Sequence, residues 1–293
     1  MLIKQLKLLL PWWAKIPLKI ILSRLPIDYQ KWSGIGLFRH GNPNDMLQYF
    51  DKFTKHFNLA FLEHKPVDFV CLEVGPGDSI ATGIIAHSFG ASKTYLIDVG
   101  DFAIKDIDYY KRFIEILKEK YVNTLDIANI NSFDELLKKF NIIYMKDGLA
   151  SLKKLPDESL DFIFSHSAIE HIKLSELPVI INETRRLIRK TGKISHNIDL
   201  MDHLEYSLNS LRFSEKTWEG KLFSNSGFYT NRLRYSQIIK LFENSGFNIT
   251  YKDHGAWKEI PIKKIHLHKS FKNLNEEDLL IRTMHIVGKV KLH

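Results

Sequence analysis

Cysteine is almost missing: Cys71 is the only one in 293 residues. One thiol excludes an internal disulfide and any multi-cysteine metal or iron–sulfur cluster, and it suits a reducing cytosol. Cys71 stands inside an apolar run, where a buried, inert thiol is the expected state. Long hydrophobic runs are missing too. The opening MLIKQLKLLLPWWAKIPLKIILSRLP is broken by lysines and prolines well short of the ~20 apolar residues a spanning helix needs. No small-residue cleavage site follows it, which speaks against a secretory signal. Internal repeats and low-complexity tracts are absent as well. What is present, 44% hydrophobic and 12% aromatic residues, suffices for a packed core in one large domain or one domain with additions.

Acids are lacking from residues 1–27, which hold Lys4, Lys7, Lys15, Lys19 and Arg24. That segment carries five of the eight net positive charges, leaving three for the other 266 residues. A basic arm, not a basic surface, therefore underlies the calculated pI near 9.2. Ile3, Leu6, Leu10 and Trp13 share a helical face, with Lys4 and Lys7 off it. Pro17 suits the first turn of a second short helix carrying Leu18, Ile21, Leu22 and Leu25. Two expectations follow. Either residues 1–27 make peripheral contact with an anionic membrane, at its inner surface, or the arm packs on the protein's own core with its lysines solvated.

A link through residues 29–44 leads to Asn44 or Asp45, either of which can cap a helix with an apolar stripe of Met46, Phe50, Phe53 and Phe57. From residue 67 short apolar runs alternate with amphipathic segments. Strands are expected at 67–74, 94–98, 141–145, 160–165 and 193–200, the last entered through a turn at Thr191–Gly192. Helices are expected from Asp78 onward, where the acid would be the cap, around 103–118 and across 176–189. A helix at 235–245 and strands at 247–251 and 283–290 complete the chain. Such alternation predicts a mostly parallel sheet covered on both faces, with ligands at the carboxyl ends of its strands. Residues 1–66 are read as the arm and a helical extension, and 67–293 as the main domain. An aromatic and polar insert at 201–231 is long enough to be a lid.

The stretch CLEVGPGDSI (71–80) lies at the carboxyl end of the first strand. A P-loop needs Gly-Lys-Ser/Thr after its glycines, and no lysine is present here. A dinucleotide fingerprint needs G-x-G-x-x-G; Gly75 and Gly77 are in place, but the third position is Ile80, and Glu73 would sit beside a pyrophosphate. S-adenosylmethionine carries a sulfonium, an ammonium and one carboxylate and has no phosphate. Its net positive charge suits Glu73, and the glycines admit the methionine portion close to the backbone. Asp98 can accept hydrogen bonds from both ribose hydroxyls, and Asp147-Gly148 can reach the adenine amino group.

These residues resemble those of class I, Rossmann-like S-adenosylmethionine-dependent methyltransferases. The family's E/D-x-G-x-G-x-G motif matches LEVGPGDS, with Ser79 in place of the last glycine. Its acid after strand two matches Asp98. Its turn, strand four and "LEH" pattern matches 155–161 through Ser165-His166-Ser167-Ala168-Ile169-Glu170-His171, and its helix and turn before strand five match 183–192. The resemblance spans roughly 68–200. It implies α/β architecture: a Rossmann-like, seven-stranded, mostly parallel sheet with helices on both faces, here with an N-terminal helical extension. It also implies S-adenosyl-L-methionine held by Glu73, Gly75, Pro76, Gly77, Asp78, Ser79, Asp98, Val99, Asp147, Gly148 and Ser165. More loosely, the chain looks similar to methyltransferase-domain proteins of bacterial surface-polysaccharide type.

Methyl transfer is an in-line displacement, so alignment outweighs a general base. If the nucleophile is a hydroxyl, His166 or His203 is placed to take its proton, with Asp199 or Asp202 orienting a ring nitrogen. His171 is read as holding its loop and His196 as a hydrogen-bonded core residue. His196, Asp199, Asp202 and His203 alternate in direction along a strand, so no metal site is expected. Amino-methylating nucleic-acid enzymes carry Asn/Asp-Pro-Pro-Tyr/Phe after strand four, which Ser165–Ala168 lacks, and Cys71 precedes the cofactor loop instead of serving as a nucleophile; nucleic acid is disfavoured. The aromatic, amide and guanidinium groups of 211–232 suit a sugar or an anionic acceptor. The expected activity is O-methylation of a glycan or related small molecule by a cytoplasmic enzyme. A lipid, quinone or secondary-metabolite methyltransferase and a non-catalytic cofactor-binding regulator are the alternatives.

Overall fold

The computed structural model describes residues 11–22, 46–120 and 129–292. Helices α1 (Trp12–Leu22) and α2 (Leu47–Ala60) come first. They are followed by β1 (Phe69–Val74), α3 (Ala81–Ser88), β2 (Ala91–Ile97), α4 (Ile107–Lys120), α5 (Phe133–Lys139), β3 (Ile142–Met145) and α6 (Leu149–Lys153). Then come β4 (Leu160–His166), α7 (Leu177–Leu187), β5 (Ile188–Asp199), and the insert with its short helices α8 (Glu215–Trp218) and α9 (Lys221–Ser224). The chain closes with α10 (Tyr235–Asn244), β6 (Phe247–Ala256), α11 (Glu276–Leu280) and β7 (Ile281–Val290).

The strands form one seven-stranded sheet in the order β3-β2-β1-β4-β5-β7-β6. Pairing is parallel from β3 to β5, and β7 runs antiparallel to both β5 and β6. This is the expected Rossmann-like α/β fold. Chain order reverses between β1 and β4, and in such sheets ligands sit at the carboxyl ends beside that reversal.

Alternation along β4 divides the core. Phe162 and Phe164 point into one layer with Phe53 and Phe57 of α2, while Ile163 points into the other with Ile181 of α7 and Phe242 of α10. The stripe expected on α2 is thus core, and α2 belongs to the sheet's own packing. Its N-cap is Met46, with no side-chain cap; Asn44 and Asp45, the link 29–44, the Ile3/Leu6/Leu10 face and Leu25 lie outside the described residues.

Several boundaries differ from the sequence reading. Asp78 does not cap α3, which begins after Ile80. Strand β5 starts at Ile188, and its pairing with β4 jumps from Ile188 to Lys193, so Thr191–Gly192 form an irregularity within the strand. Strand β6 continues through Lys252, Asp253 and His254 to Ala256 because β7 pairs with it throughout; an edge strand tolerates that polarity. Pro17 lies inside α1 rather than opening a second helix. Proline weakens a helix interior, but Trp12, Ile16 and Ile20 pack on Leu204, Trp218, Phe228 and Tyr229 of the insert, Lys15 pairs with Glu205, and Lys19 donates to the His203 carbonyl. Among the described residues no helix is long and apolar enough to cross a membrane.

Arg234, fully buried before α10, donates to the carbonyls of Leu200 (2.6 Å), Asp278 (2.9 and 3.1 Å) and Ile281. It ties the ends of β5 and α11 and the start of β7. Arg234→Leu is expected to cost about 3 kcal/mol or more in urea denaturation, since three buried carbonyls lose a charged donor. A loss under ~1 kcal/mol would mean that water replaces those bonds without penalty.

Candidate active site

The carboxyl ends of β1, β2 and β3 are stitched together by backbone bonds. Gly75 N–H donates to Ile97 (2.9 Å), Asp98 N–H to Met145 (3.0 Å) and Gly148 N–H to Asp98 (2.8 Å). Gly75 has φ +75°, and a Cβ built there would stand 2.5 Å from the Ala168 Cβ. Only glycine lets the β1 loop and the β4 loop meet. Gly77 is also left-handed, with φ +67°, and its N–H donates to Asp98 Oδ2 at 3.0 Å. The other Asp98 oxygen accepts from Val99 N–H at 2.7 Å. The Val99 side chain is 78% exposed and lies over Gly148, where an added Cβ would be 3.0 Å from Val99 Cγ1.

Glu73 is buried and accepts the Thr82 hydroxyl. Burial pushes its carboxyl up to about 7. A cation bound beside it favours the ionised form. Two amides at the start of α3 are already used: Ile80 N–H donates to the Tyr110 hydroxyl (3.2 Å) and Ala81 N–H to Ser79 Oγ (3.1 Å). That leaves fewer backbone donors for a phosphate. Asp78 is buried and its carbonyl accepts from Ile104 N–H; Pro76, between the two left-handed glycines, has no N–H to leave unpaired. A Cβ-free bend, the carboxylates of Glu73 and Asp98 and the occupied helix amides fit S-adenosylmethionine. When bound, that cofactor supplies an electrophilic methyl group whose bond pair stays with sulfur.

Two of the expected cofactor residues have other commitments. The Asp147 carboxylate is exposed and paired with Lys154 at 3.0 Å. The Ser165 hydroxyl lies 2.8 Å from His196 Nδ1. His196 is fully buried, the core histidine expected from its place in the strand.

His166 ends β4, two residues before the Ala168 that touches Gly75. Its Nδ1 is 3.3 Å from His56 Nε2. Burial, then Lys52, lowers it to about 3, so the ring is uncharged at neutral pH. Asp199, at the end of β5, accepts Met201 N–H at 2.8 Å, and burial raises its carboxyl. His203 packs edge-on to His171, ring centres 4.8 Å apart. Asp202 accepts the amides of Leu204, Glu205 and Ser210, which makes it the nucleus of the turn after β5 rather than a histidine's orienter.

Glu170 was not singled out from the sequence, although it stands inside the "LEH" pattern. It is buried, accepts Asp199 N–H at 3.3 Å and so joins the ends of β4 and β5. Burial, then the neighbouring Asp199, pushes it up to about 8. The insert corrects another expectation. Trp218 is fully buried and donates to the Thr230 carbonyl at 2.7 Å. Arg232 lies between the rings of Trp218 and Phe271, and the Asn231 amide serves the Ile169 and Ile172 carbonyls. Trp218, Asn231 and Arg232 are thus engaged with Thr230, with the carbonyls of Ile169 and Ile172, and with the Phe271 ring.

The methyltransferase-domain family model matches residues 72–195, a span that holds Glu73, the glycine bend, Asp98 and His166. No curated protein matches the chain. Among solved structures, YcgJ of Bacillus subtilis is similar at 13% identity and a TM-score of 0.45, covering 83% of this chain and 100% of its own. The geranyl diphosphate C-methyltransferase of Streptomyces coelicolor, solved with S-adenosyl-L-homocysteine, is similar at 10% identity and a TM-score of 0.47, covering 83% and 78%.

Proposed function

We propose that this chain, an enzyme that takes its methyl group from S-adenosyl-L-methionine, methylates a hydroxyl of a sugar, glycan or related small molecule. The observation that carries the reading is His166: an uncharged imidazole beside the Gly75–Ala168 contact. An uncharged ring nitrogen accepts a hydroxyl's hydrogen and so aims an oxygen lone pair; an imidazolium would not. Alignment supplies about 7–11 kcal/mol, against a general base's typical ~10²–10⁴-fold, or about 3–5 kcal/mol. Aiming the oxygen is the larger part of the residue's work. Asp199 and His203, at and just beyond the end of β5, are proposed to complete the acceptor's side of the rim.

With labelled cofactor and sugar extracts, His166→Gln is expected to lower transfer by about 10²-fold while S-adenosylhomocysteine affinity stays unchanged. Label entering only the lipid pool would overturn the sugar reading.

One observation favours that second reading. On α1, Trp13, Leu18 and Ile21 are exposed, while the opposite face packs on the insert. An apolar face within a basic segment suits a lipid or quinone acceptor and peripheral contact with an anionic membrane. The full chain is then expected to bind phosphatidylglycerol vesicles, and a chain lacking residues 1–22 to bind them at least several-fold less. Equal binding by both would leave α1 as a brace for the insert.

A further inference from the structure

We infer that His56, Ser195 and His285 form a buried line of positioning residues that fixes which nitrogen of His166 carries hydrogen. This rests on the role given to His166 above.

The geometry is continuous. His166 Nδ1 is 3.3 Å from His56 Nε2, His56 Nδ1 is 2.8 Å from Ser195 Oγ, and Ser195 Oγ is 2.9 Å from His285 Nε2. The residues come from β4, α2, β5 and β7, yet they meet on one face of the sheet. His56, Ser195 and His285 are all buried. Alternation explains the convergence: Phe164 and His166 share one side of β4, Val287 and His285 one side of β7, and Phe164 and Val287 both belong to the layer under α2. His196 and Ser165, on the other side, make a separate pair.

A neutral imidazole has one N–H and one bare nitrogen, so a chain of them has a direction. With hydrogens pointing from His166 toward His285, His166 Nε2 is bare and accepts the acceptor's hydroxyl hydrogen. That hydrogen bond aims a lone pair of the oxygen at the methyl group. The bonds from His166 Nδ1 to His56 Nε2, from His56 Nδ1 to Ser195 Oγ and from the Ser195 hydroxyl to His285 Nε2 hold that direction.

The surroundings keep the line neutral. Burial disfavours a charged ring at His56, at His166 and at His285, so each imidazole keeps one N–H and one bare nitrogen. Lys52 and Lys55 of α2 oppose positive charge at His166. At the far end Lys55 also opposes it, but Asp253, opposite His285 in the β6–β7 register, favours it. His285 Nδ1 is a buried atom with no partner, so the line ends there.

The test is histidine-selective ¹⁵N NMR of the full chain with S-adenosylhomocysteine, with His166 assigned by His166→Gln. The wild type is expected to show His166 as the Nδ1–H tautomer. Ser195→Ala is expected to shift its population toward Nε2–H at least twofold, and Ser195→Thr, which keeps the hydroxyl, to restore it. His285→Phe, cutting the chain further from His166, gives a second break that spares the His56–Ser195 contact, and the same shift is expected. An unchanged His166 tautomer in both broken variants would overturn the inference, even if His166→Gln abolishes transfer. A tautomer shift combined with full transfer in His166→Gln would instead overturn the proposed role of His166.

Discussion

Gly75→Ala is expected to reduce S-adenosylhomocysteine affinity at least about tenfold, equivalent to ~1.4 kcal/mol, and to lower thermal stability as well. A non-glycine residue at this φ of +75° costs roughly 1–2 kcal/mol, and the new methyl would sit 2.5 Å from the Ala168 Cβ. That neighbour is a β-carbon fixed to the backbone, so it cannot swing away like the end of a long side chain. Retreat in the other direction would break the 2.9 Å bond from Gly75 N–H to Ile97. The bend would have to open between β1 and β4, where the cofactor is read to lie. Adding Ala168→Gly removes the overlap but not the dihedral strain, so the double variant should recover part of the loss. Calorimetric titration with S-adenosylhomocysteine decides the matter. Wild-type affinity in the single variant would show that this bend does not hold the cofactor.

The second large effect is on stability against acid. Burial lowers His56 well below its ordinary value, His166 and His196 to about 3, and His285 to about 4. Between those values and about 6.5, the free-histidine value, the unfolded chain binds protons that the folded one refuses. Stability from these groups is therefore complete above about pH 6.5 and is lost as pH falls. Glu73 and Glu170, raised to about 7 and about 8, act in the opposite sense. Folding favours their protonated forms, so their contribution declines as pH rises from about 4.5. Near pH 5.5 the four histidines outweigh the two acids by about two protons, which gives a slope of roughly 2–3 kcal/mol per pH unit. Above about 6.5 only the acids remain and stability should fall gently, leaving an optimum near neutrality. Urea midpoints at pH 5, 6.5 and 8 test this, and His196→Leu should flatten the acid limb. A midpoint constant from pH 5 to 7 would rule out neutral buried histidines.

The ligand bend could be read along the chain because its chemistry is local. Glu73, Gly75 and Gly77 lie within five residues, and the left-handed backbone at both glycines is the conformation their residue type favours. The α2 stripe was equally legible, since a helical period repeats over short distances. Strand β6 was cut short because Lys252, Asp253 and His254 look like loop residues until β7 is known to pair with them. The insert is illegible for a related reason. Trp218, Asn231 and Arg232 are the residue types a sugar site would use, and their residue types do not reveal which partners consume them.

By itself, then, the sequence determined the α/β alternation, the acid-and-glycine bend and the cationic ligand that bend suits, because each depends on neighbours a few residues apart. Long-range packing alone placed α1 as a brace for the insert and set His56, His166, Ser195 and His285 on one buried line. Those contacts join residues 90 to 190 positions apart. Their meeting depends on which face of a shared sheet each side chain takes, and that is settled only when the strands pair.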